Sequence, residues 1–385
     1  MTPVQEELLI AVVKVVVIFG ILLGLFSVMT YVERRILAFM QFRLGPNRTG
    51  PFGILQPVAD GIKLFFKEEV MPDGANRWIF MAAPAVAIVT AFLSIAVIPY
   101  GGPVTLFGRR ISLQIADLGV GVLFIFAISS LSVYAIVMAG WGANNKYTLI
   151  GGLRSSAQMF SYELSLGLSW VGVILLAGSF RLQDIVSNQA GGFWQWNFVR
   201  QFPAFLVYTV AATAEVNRTP FDLPEAETEL VAGFHTEYSS MRFALLQMAE
   251  YVNMITVSAL GTNLFLGGWL APLPALQGMG GFDLGLPWFV LKVLTVLFFF
   301  IWLRGTLPRF RYDQLMSFGW KVLVPVAVLN IVVTAGVILL LARPGPIHSP
   351  EGRDNPQAHL QPGVVSSRGA PTAGLAPVHV GGGRG

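Results

Sequence analysis

The chain contains 385 residues, of which 54% are hydrophobic and only 12% are charged, with a formal net charge of +4. Soluble domains usually carry about 25% charged residues, so this composition excludes an ordinary soluble enzyme and indicates a membrane protein. The absence of cysteine excludes disulfides, iron–sulfur ligation and zinc–thiolate sites within this chain. Three of the four histidines, His348, His359 and His379, lie in a polar C-terminal segment, so neither a haem nor a metal site is expected.

Hydropathy predicts an all-α membrane protein with eight transmembrane helices. A hydrocarbon core about 30 Å thick requires about 20 apolar residues in a helix. The predicted spans are 8–30, 79–99, 118–140, 157–178, 201–217, 243–270, 286–303 and 322–342. The fifth span is short, and the sixth is long enough to tilt or break near Gly261 or Gly267–Gly268.

The C-terminal segment differs in composition from the rest of the chain. Residues 343–385 are rich in glycine, proline, alanine and serine and show no hydrophobic periodicity. Such a composition predicts a disordered tail, because it offers too little apolar surface to bury. The predicted organisation is therefore a polytopic transmembrane domain over residues 1–342, followed by this tail.

The distribution of lysine and arginine predicts the orientation in the membrane. The loops of one side carry fifteen of these residues, and the loops of the other side carry four. Because cytoplasmic loops are enriched in lysine and arginine, the basic loops are predicted to be cytoplasmic. They comprise residues 31–78, 141–156, 218–242 and 304–321, and both termini then lie on the outer side.

The first basic loop contains a predicted amphipathic helix over residues 53–68. Its apolar side chains fall on one arc of a helix, and Asp60, Lys63 and Lys67 fall on the other. A helix too short to span the bilayer and polar on one side lies in the membrane interface. Two interpretations remain open: a simple surface anchor, or one wall of an entrance for a lipid-soluble substrate. The turn-forming residues 43–51 before it favour a rigid docking surface.

Three carboxylates lie within apolar spans, namely Glu163, Glu215 and Glu250. An ionised side chain inside the bilayer is costly, so such residues usually face a hydrated interior and mark a proton or ion path. All three fall in the predicted cytoplasmic halves of their helices, which allows one shared polar cavity. The alternative is a structural hydrogen bond at each position.

An acidic loop, residues 218–240, follows the fifth span. Asp222, Glu225, Glu227 and Glu229 crowd into eight residues of an otherwise basic surface. Like charges at this spacing raise each other's proton affinity, which favours a role in proton handling. A solvated charged loop is the alternative.

Two long motifs carry a family resemblance. Residues 53–68, GILQPVADGIKLFFKE, and residues 220–233, PFDLPEAETELVAG, resemble the signature segments of the H-type membrane subunit of respiratory complex I, the proton-pumping NADH:quinone oxidoreductase. The mitochondrial counterpart is called subunit 1. Shorter matches include Glu33–Arg35, Gly45–Arg48, Leu153–Ser156, Ser161–Glu163 and Tyr312–Gln314, so the resemblance covers roughly residues 8–342.

The resemblance implies a set of functional residues. Members have eight transmembrane helices, form the membrane side of a ubiquinone or menaquinone chamber, and begin a line of carboxylates that leads towards antiporter-like subunits. Some members carry a glutamate in the third span, where this chain has Ser129–Ser130. The implied proton-coupling residues are Glu163, Glu215, Glu250, Asp222, Glu225, Glu227 and Glu229, and the implied quinone-chamber residues are Arg34, Arg35, Arg48, Asp60, Lys63 and Phe66.

The resemblance also implies partners and cofactors. This chain binds no cofactor alone and holds no complete active site, quinone is its substrate, and NADH, FMN and the iron–sulfur clusters belong to partner subunits. Those partners are the quinone-site and terminal iron–sulfur subunits of the hydrophilic arm, together with small and antiporter-like membrane subunits. The implied location is the bacterial plasma membrane. No nucleic acid is an expected partner.

Two other functions compete with this interpretation. A homologous ion-translocating subunit of a membrane-bound hydrogenase or formate hydrogenlyase would share many of the same residues. The Gly45–Arg48 loop and the full 220–233 motif favour the quinone enzyme. A stand-alone transporter is disfavoured because no internal repeat is visible. Ubiquinone and menaquinone, and H⁺ and Na⁺, remain alternatives.

Overall fold

Seven helices in the described part of the chain are long and apolar enough to cross a membrane. The computed structural model describes residues 3–106, 109–222, 231–273 and 285–341. The seven helices are Leu8–Met40, Arg77–Ile95, Gly121–Gly142, Lys146–Ala177, Ser240–Phe265, Gly285–Thr306 and Tyr312–Leu341. An eighth apolar helix, Phe202–Glu215, is shorter and coincides with the short fifth span expected at 201–217. The fold is therefore that of a helical, multi-pass membrane protein.

The N-terminal part of the chain, up to Ile111, contains five of the elements used below. Helix α1 covers Pro3–Met40, α2 covers Gln56–Phe66 and α3 covers Arg77–Ile95. A small antiparallel hairpin follows, with β1 at Val104–Leu106 and β2 at Arg109–Ile111. This hairpin was not expected, since three-residue strands leave no periodic pattern in the sequence.

The central helices follow in close succession. They are α4 (Gly121–Gly142), α5 (Lys146–Ala177), the short helices α6 (Leu182–Ser187) and α7 (Asn197–Arg200), and α8 (Phe202–Glu215). Helix α5 begins eleven residues before the expected span at 157, because Asn145 caps it by accepting a hydrogen bond from the Tyr147 amide at 3.0 Å. The predicted 141–156 loop is thereby reduced to a tight turn between α4 and α5.

The last helices are α9 (Ser240–Phe265), α10 (Gly285–Thr306), α11 (Tyr312–Phe318) and α12 (Val324–Leu341), with a π turn at Gly319–Leu323 joining the last two. Helix α9 ends before Gly267–Gly268, whose positive φ angles of 72° and 52° suit a helix terminus. Gly261 lies inside the continuous helix. The predicted tail, residues 343–385, lies outside the described residues.

The helices alternate in direction, so their connections gather at two ends. We call the end that carries the loops after Met40, Gly142, Glu215 and Thr306 the basic end, and the other the opposite end. Backbone hydrogen bonds link loops within each end. Asn76 N donates to Gly142 O at 3.0 Å at the basic end, and Phe193 N donates to Pro272 O at 2.9 Å at the opposite end.

Small residues bring the central helices together. A core of buried residues between α3, α4, α5 and α9 is rich in alanine, including Ala83, Ala87, Ala135 and Ala139. Helices α4 and α5 cross where a Cβ on Gly140 would lie 3.1 Å from the Gly152 Cα atom. Small side chains at helix crossings allow close packing in a lipid environment, where water contributes no driving force between helices.

A buried lysine closes the opposite end of α9. The Lys292 ammonium donates to the carbonyl oxygens of Leu266, Gly268 and Leu270 at 2.7, 2.9 and 2.7 Å, and lies 4.0 Å from the Trp196 ring centroid. All three ammonium hydrogens are thus engaged, and the positive charge complements the C-terminal end of a helix.

Gln189 supports the same region. Its amide oxygen accepts from the backbone N–H groups of Asn197 and Gly267 at 3.1 and 3.0 Å, and its amide nitrogen donates to the carbonyls of Ile185 and Asn263. Four hydrogen bonds from one buried side chain hold the α6, α7 and α9 ends together, so a polar side chain here serves the fold.

Candidate functional site

Glu163 is buried in the middle of α5 and has a hydroxyl as its partner. Its side chain is 5% exposed, and the Ser130 Oγ donates to its carboxylate from α4. The same hydroxyl also lies 3.0 Å from the Phe126 carbonyl oxygen. Because Ser130 has one hydrogen to donate, it can bond either the ionised carboxylate or that carbonyl. Its partnership with Glu163 was not expected from the sequence.

Glu215 occupies the last turn of α8 and keeps an unpaired oxygen. The side chain is 7% exposed, and its Oε2 atom has no hydrogen-bond partner among the residues the structure describes. Glu163 lies on α5, the helix that packs against α8. The helix end is held by Gln158, whose amide donates to the Ala214 and Phe221 carbonyls at 3.0 and 2.8 Å.

A cavity joins Glu215 to Glu250. It has a volume of about 40 Å³, which leaves room for about three water molecules. Its polar lining is formed by Ser132, Glu215, Asn217, Glu250 and Asn253. Of the three membrane acids expected to share a polar cavity, Glu215 and Glu250 line this one, and Glu163 is not part of its lining.

Glu250 contacts a histidine on the far side of this cavity. The His235 Nε2 atom lies 3.3 Å from the Glu250 Oε1 atom, and the two side chains are 2% and 15% exposed. His235 ends the turn Gly233–His235, which lies in the C-terminal part of the acidic loop. The sequence drew attention to His235 only as the histidine outside the tail, because its partner lies fifteen residues away on another element.

Glu33 is a further buried acid, which was not among the residues expected in the site. Its carboxylate accepts from Tyr251 at 2.6 Å and from Arg304, and Arg218 Nη1 lies 3.3 Å away. The Arg218 guanidinium also lies 4.4 Å from the Tyr251 ring centroid. Charged residues at 33–35 ended the predicted first span, but α1 continues to Met40 because this carboxylate finds its partners inside the protein.

The amphipathic helix α2 gathers several of the implied quinone-chamber residues. Arg34 Nη1 donates to Asp60 Oδ2 at 2.6 Å, and Lys63 Nζ lies 3.7 Å from Asp60 Oδ1. Arg35 instead donates to the Pro46 carbonyl at 3.0 Å, which stabilises the preceding loop. The apolar face of α2 is uncovered by the rest of this chain, with exposed side chains at Ile54, Leu55, Val58, Ile62, Phe65 and Phe66.

Other expected residues are placed as follows. Arg48 is exposed on the loop before α2, and Asp222 is half-buried near the end of α8. Glu225, Glu227 and Glu229 lie outside the described residues. Within the described ranges, no group of three or more histidine or acidic side chains is arranged to hold a metal ion.

Comparison with known proteins shows the family. The family model described as NADH dehydrogenase matches residues 13–335. The first of two H-type subunits of NADH-quinone oxidoreductase in Geobacter metallireducens is 52% identical over 341 residues, which cover 88% of this chain and all of that protein. The second H-type subunit of Geobacter sulfurreducens is 52% identical over 344 residues, covering 89% and 100% of the two chains.

A relative from a third organism is similar over most of the chain. The H-type subunit of NADH-quinone oxidoreductase from Frankia alni is 53% identical over 318 residues, which cover 82% of this chain and 70% of that protein. The resemblance inferred from the two sequence motifs is thereby confirmed. The chain belongs to the NADH dehydrogenase family, as a multi-pass membrane protein of the H type found in NADH-quinone oxidoreductase.

Proposed function

We propose that this protein forms the membrane side of a quinone chamber, docks the hydrophilic arm of the complex and couples quinone reduction to proton translocation. The observation that carries the coupling is the pair of acids Glu215 and Glu250 on one small cavity, with Glu163 buried on the adjoining helix α5. Most buried polar atoms in folded proteins are paired, whereas Glu215, a titratable group that lines the cavity, keeps an unpartnered oxygen among the described residues.

Quinone chemistry provides a reason for such a cluster. Reduction of a quinone to a quinol takes up two electrons and two protons, and it changes the charge near the headgroup. A shift of one unit in the pKa of a neighbouring acid corresponds to about 1.4 kcal/mol. Interacting carboxylates titrate as a set, so a change at one end of the cluster alters proton occupancy at the other. The acidic loop residues Asp222, Glu225, Glu227 and Glu229 belong to this proposal.

The proposed quinone entrance lies along α2. The uncovered apolar face would contact lipid and the isoprenoid tail, while Arg34, Asp60 and Lys63 form an ion-pair group on its polar side. Arg35, Arg48 and Phe66 are the further proposed chamber residues. The chain itself supplies no electron carrier, and NADH, FMN and the iron–sulfur clusters are assigned to partner subunits.

The topology proposal uses eight spans, with α8 as the fifth. At 1.5 Å per residue, its 14 residues extend about 21 Å, less than the hydrocarbon core. Its buried side chains, including Ala204, Val207 and Ala211, support a position inside the bundle, where protein rather than lipid surrounds it. The basic end would face the bacterial cytoplasm and the hydrophilic arm, and both termini would lie outside.

The ion-pair group on α2 provides the test. In membranes containing the whole complex, Asp60→Ala and Lys63→Ala are expected to lower quinone-dependent NADH oxidation or raise the apparent quinone KM. NADH oxidation by ferricyanide should persist, because that step precedes the quinone. Lys67→Ala, one turn further along and outside the ion-pair group, is the matched control. Equal loss of both activities would show that α2 only holds the complex together.

The hydrogenase-type alternative is addressed by the same assay. The relatives reported above are named as NADH-quinone oxidoreductase subunits, which supports quinone as the substrate. A complex that oxidises NADH with ferricyanide but gives no inhibitor-sensitive reduction of any quinone would contradict the proposed chamber.

A further inference from the structure

His235 is enclosed by aromatic side chains. It is the one histidine in the part of the chain that the structure describes, and its side chain is 2% exposed. Its ring centroid lies 3.9 Å from that of Phe234 and 5.6 Å from that of Phe243, the latter in an edge-on arrangement. A phenylalanine would pack equally well against these neighbours, so packing alone gives no reason for an imidazole.

The two nitrogens of His235 have different surroundings. Nε2 faces the carboxylate of Glu250, as described above. Nδ1 is buried and has no hydrogen-bond partner among the described residues. A buried polar atom without a partner costs free energy, and an imidazole can hold or release a proton at either nitrogen. His235 therefore presents a second proton-binding atom on the side away from Glu250.

Neighbouring charged groups are engaged elsewhere. Glu237 accepts a hydrogen bond from Asn145 at 2.5 Å, and Arg242 pairs with Glu69 at 3.0 Å while lying over the Phe80 ring. Neither bonds the imidazole. Glu250 is thus the acidic group placed to exchange a proton with this ring, and Glu215 faces Glu250 across the cavity.

The turn that carries His235 is held in place by close backbone packing. A Cβ atom on Gly151 would lie 2.8 Å from the Gly233 Cα atom, so only glycine allows α5 to approach the turn this closely. On the other side, Tyr238 stacks on Phe80 with ring centroids 4.2 Å apart. The imidazole is therefore positioned by rigid elements, which is the arrangement that proton transfer requires.

The same segment is tied to α2. Ser240 Oγ donates to the Leu64 carbonyl at 2.9 Å, and the Val70 amide donates to Ser239 Oγ at 3.0 Å. Residues 233–240 thus contact α2 through Ser240 at one end and Glu250 through His235 at the other. They connect the proposed quinone entrance to the membrane acids.

We propose that His235 is a proton-relay residue that exchanges a proton with Glu250, and so extends the carboxylate cluster towards the loops of the basic end. In the transfer, the O–H bond of the Glu250 carboxyl breaks and an N–H bond forms at Nε2. A neutral acid and a neutral imidazole become a carboxylate and an imidazolium, so the pair keeps its total charge. The inference rests on the proposed function of Glu250.

The test replaces the imidazole by an amide at position 235 in the assembled complex. His235→Gln places an amide near the position of Nε2 and keeps a hydrogen-bond donor towards Glu250, but it cannot take up a proton. We expect quinone-dependent turnover or the proton-to-electron ratio to fall, with turnover about tenfold lower, since cavity water offers a partial bypass. The quinone KM and the ferricyanide rate should remain unchanged.

The matched control is Thr236→Val. Thr236 lies in the same segment and donates to the Gly233 carbonyl at 2.7 Å, so its loss disturbs the turn without removing a titratable group. It should pump like the wild type. If His235→Gln is not incorporated into membranes, the shorter amide in His235→Asn provides the same comparison, with the amount of this protein measured by blotting.

Combination with Glu250→Gln distinguishes the possible failures. If the relay exists, the double variant His235→Gln/Glu250→Gln should turn over as fast as the slower of the two single variants, because both substitutions block the same proton transfer. Wild-type pumping by His235→Gln together with a defective Glu250→Gln would contradict the relay and leave the proposed function intact. Wild-type pumping by both single variants would contradict the proposed function itself.

Discussion

The two ends of the helix bundle bury polar side chains in different ways. At the opposite end, Lys292 uses all three ammonium hydrogens and Gln189 makes four hydrogen bonds, all of them to backbone carbonyls and amides. Near the basic end, Glu215 Oε2 and His235 Nδ1 have no partner among the described residues and lie beside a cavity or its lining acid.

This difference separates stabilising groups from proton-handling groups. A side chain whose bonds are all satisfied by fixed backbone atoms cannot change its protonation without losing them. A carboxyl with a free oxygen beside a cavity large enough for water can change its protonation. The amide oxygens of Asn197 and Asn263 at the opposite end also lack partners among the described residues, but neither group is titratable. We therefore expect substitutions at the opposite end to reduce assembly and substitutions at the basic-end acids to reduce coupling.

The largest effect is expected for Lys292→Met. Three buried carbonyls would lose their donor, at a cost of about 4 kcal/mol, which is a large part of the stability of a typical domain. The amount of this protein in membranes, measured by blotting, should fall strongly. Leu291→Met, at the neighbouring and 53% exposed position, should accumulate normally. Normal accumulation of Lys292→Met with altered pumping would place Lys292 among the functional groups.

Glu33→Gln separates the effect of location from the effect of pairing, because Glu33 is an acid near the basic end whose two oxygens both have hydrogen-bond partners. Removing its charge leaves Arg218 and Arg304 without their buried counter-ion, at a cost of about 3 kcal/mol. We expect reduced thermal stability of the complex in detergent, with near-normal turnover for each complex that remains assembled. A stable variant with slow turnover would instead assign Glu33 to the coupling cluster. Asp60→Asn, at a more exposed ion pair, is the control for stability.

Ser130→Ala is expected to have a smaller effect, confined to turnover. Ser129 and Ser130 both lie within hydrogen-bond distance of the Phe126 carbonyl, but Ser130 alone of the two contacts Glu163. Loss of the Ser130 hydroxyl should slow quinone-dependent turnover about fivefold, corresponding to about 1 kcal/mol. Ser129→Ala should remain at the wild-type rate, and Ser130→Thr should retain most activity. Equal rates for both alanine variants would show that the Ser130 contact has no part in coupling.

Hydropathy was a good guide to the helices because seven of those in the described part of the chain are long and apolar. The shortened 141–156 loop and the extended α1 were missed for one physical reason. Hydropathy indicates which residues contact lipid, whereas a helix continues beyond the lipid wherever capping residues, ion pairs and tertiary packing stabilise it. Asn145 and Glu33 supply those contacts here.

The membrane acids were predictable because an isolated glutamate stands out in an apolar run. Their partners were not. Ser130 and His235 are ordinary residues until α4 and the Gly233–His235 turn bring them to Glu163 and Glu250, and those pairings depend on tertiary packing at glycines 140, 151 and 152. The amphipathic pattern of α2 likewise allowed a substrate entrance to be predicted from the sequence. It did not predict that Asp60 pairs with Arg34 of α1.

We propose that the basic-end acids transfer protons during quinone reduction, and Glu215 is the acid whose substitution gives the clearest test. Glu215→Gln keeps the shape and hydrogen-bonding capacity of the side chain but removes its titratable proton. The measurement is the proton-to-electron ratio with quinone in membrane vesicles, alongside the quinone reductase rate and the amount of assembled complex. We predict a fully assembled Glu215→Gln complex with a lowered ratio or rate, and Glu215→Asp closer to the wild type. A fully assembled Gln variant with wild-type rate and stoichiometry would contradict the account.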